Sequence, residues 1–459
     1  MFFAEVIVRN SAIASLVYFL AMFLPERRVD PPGIYEKPFK EMYDYIVGKF
    51  LNLAIFSQDS KPYKLSQNGL LKIKVKKLKF RIAKFVVTST YMAYIPQGKV
   101  LGGSSSINAQ VIVRGSRNNY DQWEHEGAVG WGYDDVLPFF RKLENATDTS
   151  YRDSSRQFSF NNICEFKCFI ALRGLHGPIV IKEITGSILQ SFHQTAAMEI
   201  GFSTVDCNSD DPIGFCKNQM NVKDGKRCST STCYLRPVLD RRNLQVSLRS
   251  RVTKIPLKVD LPVGQNLYDH LRFAVQYNIT APLNINRFFS RNGGEGLILQ
   301  NVNPLYTGGP QIELLFTNNA YEEGIRFMRL LEQTEAWKSI GATLVRHDVP
   351  GHCSEQIYDS DNYWRCIGRH FLSTAYHFVG TCKMGSVNDP SVVVDSRLRV
   401  IGIKNLRVAD ASVMRYLPSG HTNAPAMMIG EKAADMIRRD RTHRYNILTR
   451  IDSIKYFMD

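Results

Sequence analysis

Tyr376-His377-Phe378-Val379-Gly380-Thr381-Cys382-Lys383-Met384-Gly385, with Pro418-Ser419-Gly420-His421-Thr422-Asn423-Ala424-Pro425 further along, is the part of the chain that decides its reading. Each segment brings one histidine into a Gly-bounded turn, and the second turn leads into a helix-like run. A neutral imidazole accepts a proton near physiological pH. A second imidazole beside it can hold the oxygen as it becomes an alkoxide. Such a pair suits the removal of a hydroxyl proton while the carbon beneath loses a hydride.

Composition sets the frame. At 459 residues, 44% apolar and 22% charged, the chain has the make-up of a soluble globular protein, with length for two domains or one domain folded into another. The net charge is +15, part of it in the acid-free run Lys72 to Lys84. Lys72, Lys74 and Lys76 alternate with Ile73 and Val75, the pattern of a strand with one wet face. No nucleic-acid motif accompanies the run, so no nucleic-acid partner is expected. The nine cysteines contain no Cys-x-x-Cys. Cys164 and Cys168, and Cys228 and Cys233, have no His/Cys cluster at zinc-site spacing, so no metal site is expected. The odd count leaves one thiol without an intrachain partner, and buried, unreactive thiols are the expectation.

The apolar run Ser11 to Leu24, bracketed by Arg9 and Glu26-Arg27-Arg28, is too short to span a bilayer comfortably. It fits the core of a secretion signal, although no small-x-small cleavage site follows. The sequons Asn145-Ala146-Thr147 and Asn278-Ile279-Thr280 agree with a secreted, extracellular protein.

Along the chain, residues 26–42 read as a loop. Met42 to Gly48 reads as a strand entering a nucleotide-binding turn, but no Gly-x-Gly-x-x-Gly follows. Gly98-Lys99-Val100-Leu101-Gly102-Gly103-Ser104-Ser105-Ser106-Ile107-Asn108 combines glycines that permit close backbone approach with serines that cap or donate. Val136 to Leu143 reads as an amphipathic helix capped by Asp134 or Asp135. Trp131 and Tyr133 read as core. Gly174–Glu183 reads as a turn and strand, Gln190–Ile200 as a helix, and Asn243–Leu248 as a strand. Asp260–His270 reads as a loop-to-helix element, with His270 closing the loop. Glu323–Ile340 has a helical period, Asn405–Asp410 is strand-like, and Ala424–Ile437 is a helix with Pro425 in its first turn. The basic last twenty residues carry no assigned role.

Taken together, these motifs resemble the glucose–methanol–choline (GMC) oxidoreductases, most closely the insect glucose-dehydrogenase-like branch. The likeness is strongest over 98–143, 256–270 and 361–437. It implies an α/β with α+β architecture: a Rossmann-like FAD-binding domain interleaved with an antiparallel-sheet substrate domain. On this basis residues 1–41 are an N-terminal segment and linker, 42–280 the FAD-binding region, 281–438 the substrate and catalytic region, and 439–459 a basic tail.

The resemblance further implies FAD as cofactor and oxidation of a CH–OH group of a small alcohol or sugar. A quinone-like or other acceptor would take the electrons onward. His377 would be the general base and His421 its partner on the same oxygen, or the two roles would be exchanged. Val100, Gly102, Gly103, Ser104 and Asn108 would approach the flavin, with Asp410 and Ala411 at its ribityl–pyrophosphate region. Val252 would lie on the adenine side, and Asn423 would begin the helix that faces the pyrimidine ring. Cys382, next to this motif, reads as packing.

Two departures mark the chain as an incomplete version of the fold. The FAD dinucleotide loop is missing after Gly48. The second family signature is missing where Val252-Thr253-Lys254-Ile255 runs straight into Pro256. Their sharp edges suggest skipped coding segments, with 49–90 and 154–172 as included sequence. A flavin-free pseudoenzyme or binding protein, or an inactive fragment, is the alternative reading.

Overall fold

The computed structural model describes residues 71–74, 92–95, 97–146, 172–184, 188–209, 212–246, 248, 259–272, 277–280, 297–299, 320–346, 352–371 and 373–456. The segments called strand 42–48, loop 26–42, signal core 11–24 and adenine contact Val252 lie outside these residues. So do 49–70, 75–91 and 154–171.

Aromatic residues at helical spacing build the main core. The helix α1 (Arg117–His125) turns Tyr120 and Trp123 inward, and α2 (Tyr133–Leu143) adds Tyr133, Val136, Phe140 and Leu143. Tyr120 meets Trp123 and Phe140 edge-on, at centroid distances of 5.0 and 5.7 Å. Trp131 is fully buried, and its Nε1 donates to the Ser396 carbonyl at 2.8 Å, joining the two halves of the sequence. Both Trp131 and Tyr133 are core, as the sequence indicates. The N-cap of α2 is Gly132, with no side-chain cap; Asp134 and Asp135 sit in its first turn and Asp134 pairs with Arg117 at 2.9 Å. This corrects the expected acidic cap.

The last helix, α7 (Asn423–Tyr456), lays Ala424, Met427, Met428, Ile429 and Ala433 on the same core. Its Lys432 reaches across the interface, donating to the Asp135 carbonyl at 3.2 Å with its ammonium 5.1 Å from the centre of the Trp131 ring. The helix runs well beyond the expected Ile437, so most of the basic tail is helical.

A second core gathers α3 (Ile188–Glu199), α4 (Ala320–Glu332), α5 (Glu335–Ser339) and α6 (Asp361–Phe371) around Tyr277, Phe327, Trp337, Tyr363 and Ile367. The single helix expected over Glu323–Ile340 is broken in two. Thr334 is extended and its hydroxyl accepts from Trp337 N, restarting the chain as a new helix. The Glu199 carboxylate then caps that start, accepting from Glu335 N at 2.6 Å and Ala336 N at 3.0 Å.

Strands are short. Glu144–Ala146 pairs parallel with Ile179–Glu183, which pairs antiparallel with Gln219–Met220. Leu71–Lys74 pairs antiparallel with Met92–Ile95, matching the alternation around Lys72 and Lys74. Residues 244–246 are not a strand: among the described residues no neighbour takes their ladder bonds, and Val246 is 41% exposed. Residues 405–410 make only an isolated bridge, Arg399 to Arg407.

Six cysteines form disulfides, Cys207–Cys216, Cys228–Cys233 and Cys353–Cys366. These replace the expected inert thiols; spacing alone gave no sign of the pairing. Cys382 is the free cysteine among the described residues, half-buried against the main core, and burial pushes its thiol pKa up. That is the packing role expected for it.

Under the three-stranded sheet lies a buried ion network. The Glu144 carboxylate pairs with both Arg114 and Arg173, and Arg173 continues to Asp206 at 2.9 Å. Side-chain exposures are 1–2% for Arg114, Arg173 and Glu144. Removing the Glu144 charge leaves the buried Arg114 guanidinium without a carboxylate and Arg173 with Asp206 alone, so Glu144→Gln is expected to cost about 3–5 kcal/mol. A urea denaturation midpoint unchanged in that variant would show that the network carries no stability.

Candidate active site

The turn that carries His377 arises from a mismatch between two paired segments. Tyr268 bridges Val379 through two backbone hydrogen bonds of 3.0 Å, and Leu271 pairs with Thr374. Between these pairs, residues 269–270 face residues 375–378, two against four. The longer side must bulge, and Tyr376 takes a positive φ of 63° to do so. Gly380 closes the bulge at φ +87°; a Cβ there would sit 2.1 Å from the Asn266 carbonyl oxygen, so only glycine fits. Residues 260–270 therefore lead into a strand and not the expected helix, because their hydrogen bonds run across to Ala375 and Val379.

The second histidine turn is held from the other end of the sequence. Asn119 in α1 accepts Ser419 N at 2.7 Å and Ser116 N at 2.9 Å, and its Nδ2 reaches Ser419 Oγ at 3.1 Å. Gly420 lies so close to Val113 that a Cβ would meet Val113 Cγ1 at 2.6 Å. The turn then opens into the N-terminus of α7, where Ala426 N donates to the Thr422 carbonyl at 3.0 Å.

These two turns bring three imidazoles together. His377 and His421 meet edge-on with centroids 5.0 Å apart, and His377 and His270 at 5.3 Å. Nδ1 of His270 lies 3.1 Å from Nδ1 of His377. All three side chains are buried. Burial lowers the pKa of each: well below the usual value for His270 and His377, and to about 3 for His421. The cluster is therefore neutral at physiological pH. The neighbouring Asp269 is pushed up to about 6 by burial, against the opposing pull of its hydrogen bonds from the Thr374 hydroxyl and His377 N.

The remaining residues singled out from the sequence fall into three groups. Val100, Gly102, Gly103, Ser104 and Asn108 lie on one loop, a single 3-10 turn pinned to residues 227–230. There Ser105 Oγ accepts from Thr230 N at 3.0 Å, and Arg227 donates to both oxygens of Asn108, at 2.7 and 3.0 Å. Asn423, the first residue of α7, spends its amide on the Val111 carbonyl (3.3 Å) and Asn221 Oδ1 (3.2 Å). Asn221 N in turn bonds the Gln110 carbonyl, tying this helix start to the loop of Asn108. Asp410 caps the 3-10 turn of Ala411 by accepting from Ser412 N, and the Ser412 carbonyl accepts from Cys382 N. Asp410 is thus the turn cap that its position allowed. Sequence reasoning missed Asn119, Asp269 and the partnership of His270. The Asp269-His270 dipeptide was visible, but nothing local showed that it would face the bulge.

The fit of a flavin can be tested on this geometry. A Cβ on Gly103 would meet nothing within 4 Å, so the first glycine loop borders open space. His270 Nε2 is buried with no hydrogen-bond partner among the described residues. The N-terminal end of α7, which favours negative charge, follows directly after His421. Neutral donors, an open glycine face and a helix N-terminus fit the ring half of FAD.

Sequence comparison identifies the family. The GMC oxidoreductase profiles match residues 5–270 and 307–430. The chain belongs to the GMC oxidoreductase family, a class of FAD-dependent enzymes that act on alcohol or sugar-type substrates. It is 28% identical to glucose dehydrogenase [FAD, quinone] of Drosophila melanogaster, over 75% of each protein. It is likewise 28% identical to the mitochondrial choline dehydrogenase of Mus musculus, over 75% of this chain and 76% of that one. A fungal aryl-alcohol oxidase structure superposes with a TM-score of 0.61 at 18% identity, over 84% of this chain and 92% of that one. Pyridoxine 4-oxidase from Mesorbium loti gives a TM-score of 0.56 at 19% identity, over 76% and 86%. These two likenesses concern the fold, the mixed α/β architecture that the sequence implied.

The buried neutral histidines set a pH dependence. Their folded pKa values lie below the unfolded value, near ~6.5, so below that pH the unfolded chain binds more protons and stability falls as pH falls. Asp269 works the other way between about 6 and 3.8, where its folded form holds the extra proton. Three histidines outweigh one carboxyl. The urea midpoint is expected to drop between pH 7 and pH 5, and less steeply in His421→Asn; equal slopes would contradict the buried neutral state of His421.

Proposed function

We propose that this chain is an FAD-dependent dehydrogenase-type oxidoreductase that removes a proton and a hydride from a CH–OH group, with His377 as general base. The observation that carries the reading is the pair of buried imidazoles, His377 and His421, set 5.0 Å apart by two unrelated turns. Bound FAD supplies the hydride acceptor. His377 takes the hydroxyl proton on a ring nitrogen, which burial keeps unprotonated until needed. His421 donates to, or polarises, the same oxygen as negative charge develops on it. Because neither imidazole starts charged, the site binds a neutral alcohol without an ion-pair partner.

The glycine loop 98–108 would border the flavin ring. Asp410 and Ala411 would lie at the ribityl–pyrophosphate portion, and the start of α7 at Asn423 would favour negative charge on the ring. The division into an FAD-binding region, 42–280, and a substrate and catalytic region, 281–438, is part of the same reading. So are a quinone-like electron acceptor, supported by the name of the insect relative, and an extracellular location. Three disulfides support an oxidising compartment. No helix among the described residues is long and apolar enough to cross a membrane.

The test is colour. Purified chain loaded with FAD should bleach when an alcohol or sugar is added. His377→Ala should lose about 10²–10⁴-fold in bleaching rate with flavin content unchanged, and His421→Ala about 10²–10³-fold. Normal bleaching in His377→Ala removes it as the base; a folded chain that takes up no flavin supports the binding-protein alternative.

A further inference from the structure

We propose that His270 is a positioning residue that fixes the tautomer of His377, and that the dipeptide Asp269-His270 grips the catalytic turn at two points. This inference rests on the reading of His377 as the base.

The grip is visible in four contacts. Asp269 Oδ1 accepts His377 N at 2.9 Å, and its other oxygen accepts the Thr374 hydroxyl. The Thr374 hydroxyl also accepts Tyr376 N at 2.8 Å. The His270 carbonyl accepts Ala375 N at 2.8 Å. Every residue from 374 to 377 is thus bonded to Asp269, to His270 or to Thr374, which is itself bonded to Asp269. The two-against-four bulge would otherwise have no fixed shape.

The ring contact adds a chemical constraint. His270 and His377 face one another through their Nδ1 atoms, 3.1 Å apart. A hydrogen bond needs one proton between the two nitrogens. If His270 supplied it, His377 in its neutral form would carry its own proton on Nε2 and have no lone pair left for a substrate hydroxyl. A basic His377 must therefore donate Nδ1–H to His270 Nδ1, which places the proton of neutral His270 on Nε2. When His377 Nε2 takes the hydroxyl proton, the new imidazolium keeps its Nδ1–H bond to the His270 lone pair, and the positive charge is held without a carboxylate in direct contact with the ring.

That assignment also accounts for the buried Nε2 of His270, which has no partner among the described residues. It becomes an N–H donor available to an oxygen of a bound ligand. A purely structural histidine, fully buried, gains nothing from an unsatisfied ring nitrogen.

The experiment uses the full chain with ¹⁵N-labelled histidine, assigning His377 and His270 by difference spectra. Long-range ¹H–¹⁵N correlation is expected to show His377 protonated on Nδ1 and His270 on Nε2. In His270→Asn, the amide oxygen replaces the accepting nitrogen and His377 should keep its Nδ1 proton. In His270→Phe it should shift toward the Nε2–H form. Flavin bleaching by substrate in the FAD-loaded protein should fall about 10- to 100-fold in His270→Phe, the range found when a metal-bound imidazole loses its outer-shell hydrogen-bond partner. His270→Asn should recover most of that loss.

Wild-type His377 protonated on Nε2, or a tautomer unmoved by His270→Phe, overturns the proposal. The wild-type spectrum and the Asn variant decide the matter even where the Phe variant fails to fold. If the tautomers are as stated but His377→Ala still bleaches normally, the base reading fails and the tautomer assignment stands.

Discussion

Two residues facing four, between the Tyr268–Val379 and Leu271–Thr374 pairs, is the constraint on which the site depends. A regular ladder alternates side chains between its faces, and its spacing is fixed by the hydrogen bonds. The surplus residues release His377 from that alternation. Gly380 ends the release, because any larger residue would collide with the Asn266 carbonyl. The Gly-bounded appearance of the motif thus has a mechanical origin: one glycine permits the chain to re-enter register after the His377 turn.

The second constraint is electrostatic. Three imidazoles, with His377 edge-on to both of the others, cannot all be charged, and burial makes even one charge costly. The cluster resolves this by remaining neutral, which leaves it able to receive a single proton. The mixed elements that hold it serve the same end. Asn119 ties the His421 turn to α1, and Asp269 ties the His377 turn to the strand Leu271–Arg272, so neither ring depends on a mobile tether. The dense aromatic core beneath α1, α2 and α7 supplies the rigidity.

Much of this was legible in the sequence, for identifiable reasons. Glycines flanking single histidines marked both turns, because steric demands at close approaches leave a local trace. Trp131 and Tyr133 were readable as core from their setting before an amphipathic helix. The disulfides were not readable, since pairing depends on where distant segments come together. The strand expected at 243–248 failed because strands need partners, and propensity alone cannot supply one. His270 was mistaken for a loop closure for the same reason: its meaning lies in the bulge opposite, more than a hundred positions away. The break at Thr334 shows the reverse case, a single capping residue overriding a continuous helical period.

The central claim is that a neutral, buried His377 accepts the substrate proton. The most direct measurement is the rate of flavin bleaching by a saturating alcohol or sugar, followed by stopped flow across pH in the FAD-loaded full chain. A base held well below the ordinary imidazole value keeps its lone pair in mild acid, so the rate should stay level from pH 8 to about pH 6. A rate that falls by half near ~6.5 or higher would mean an ordinary, solvated base and would contradict the account.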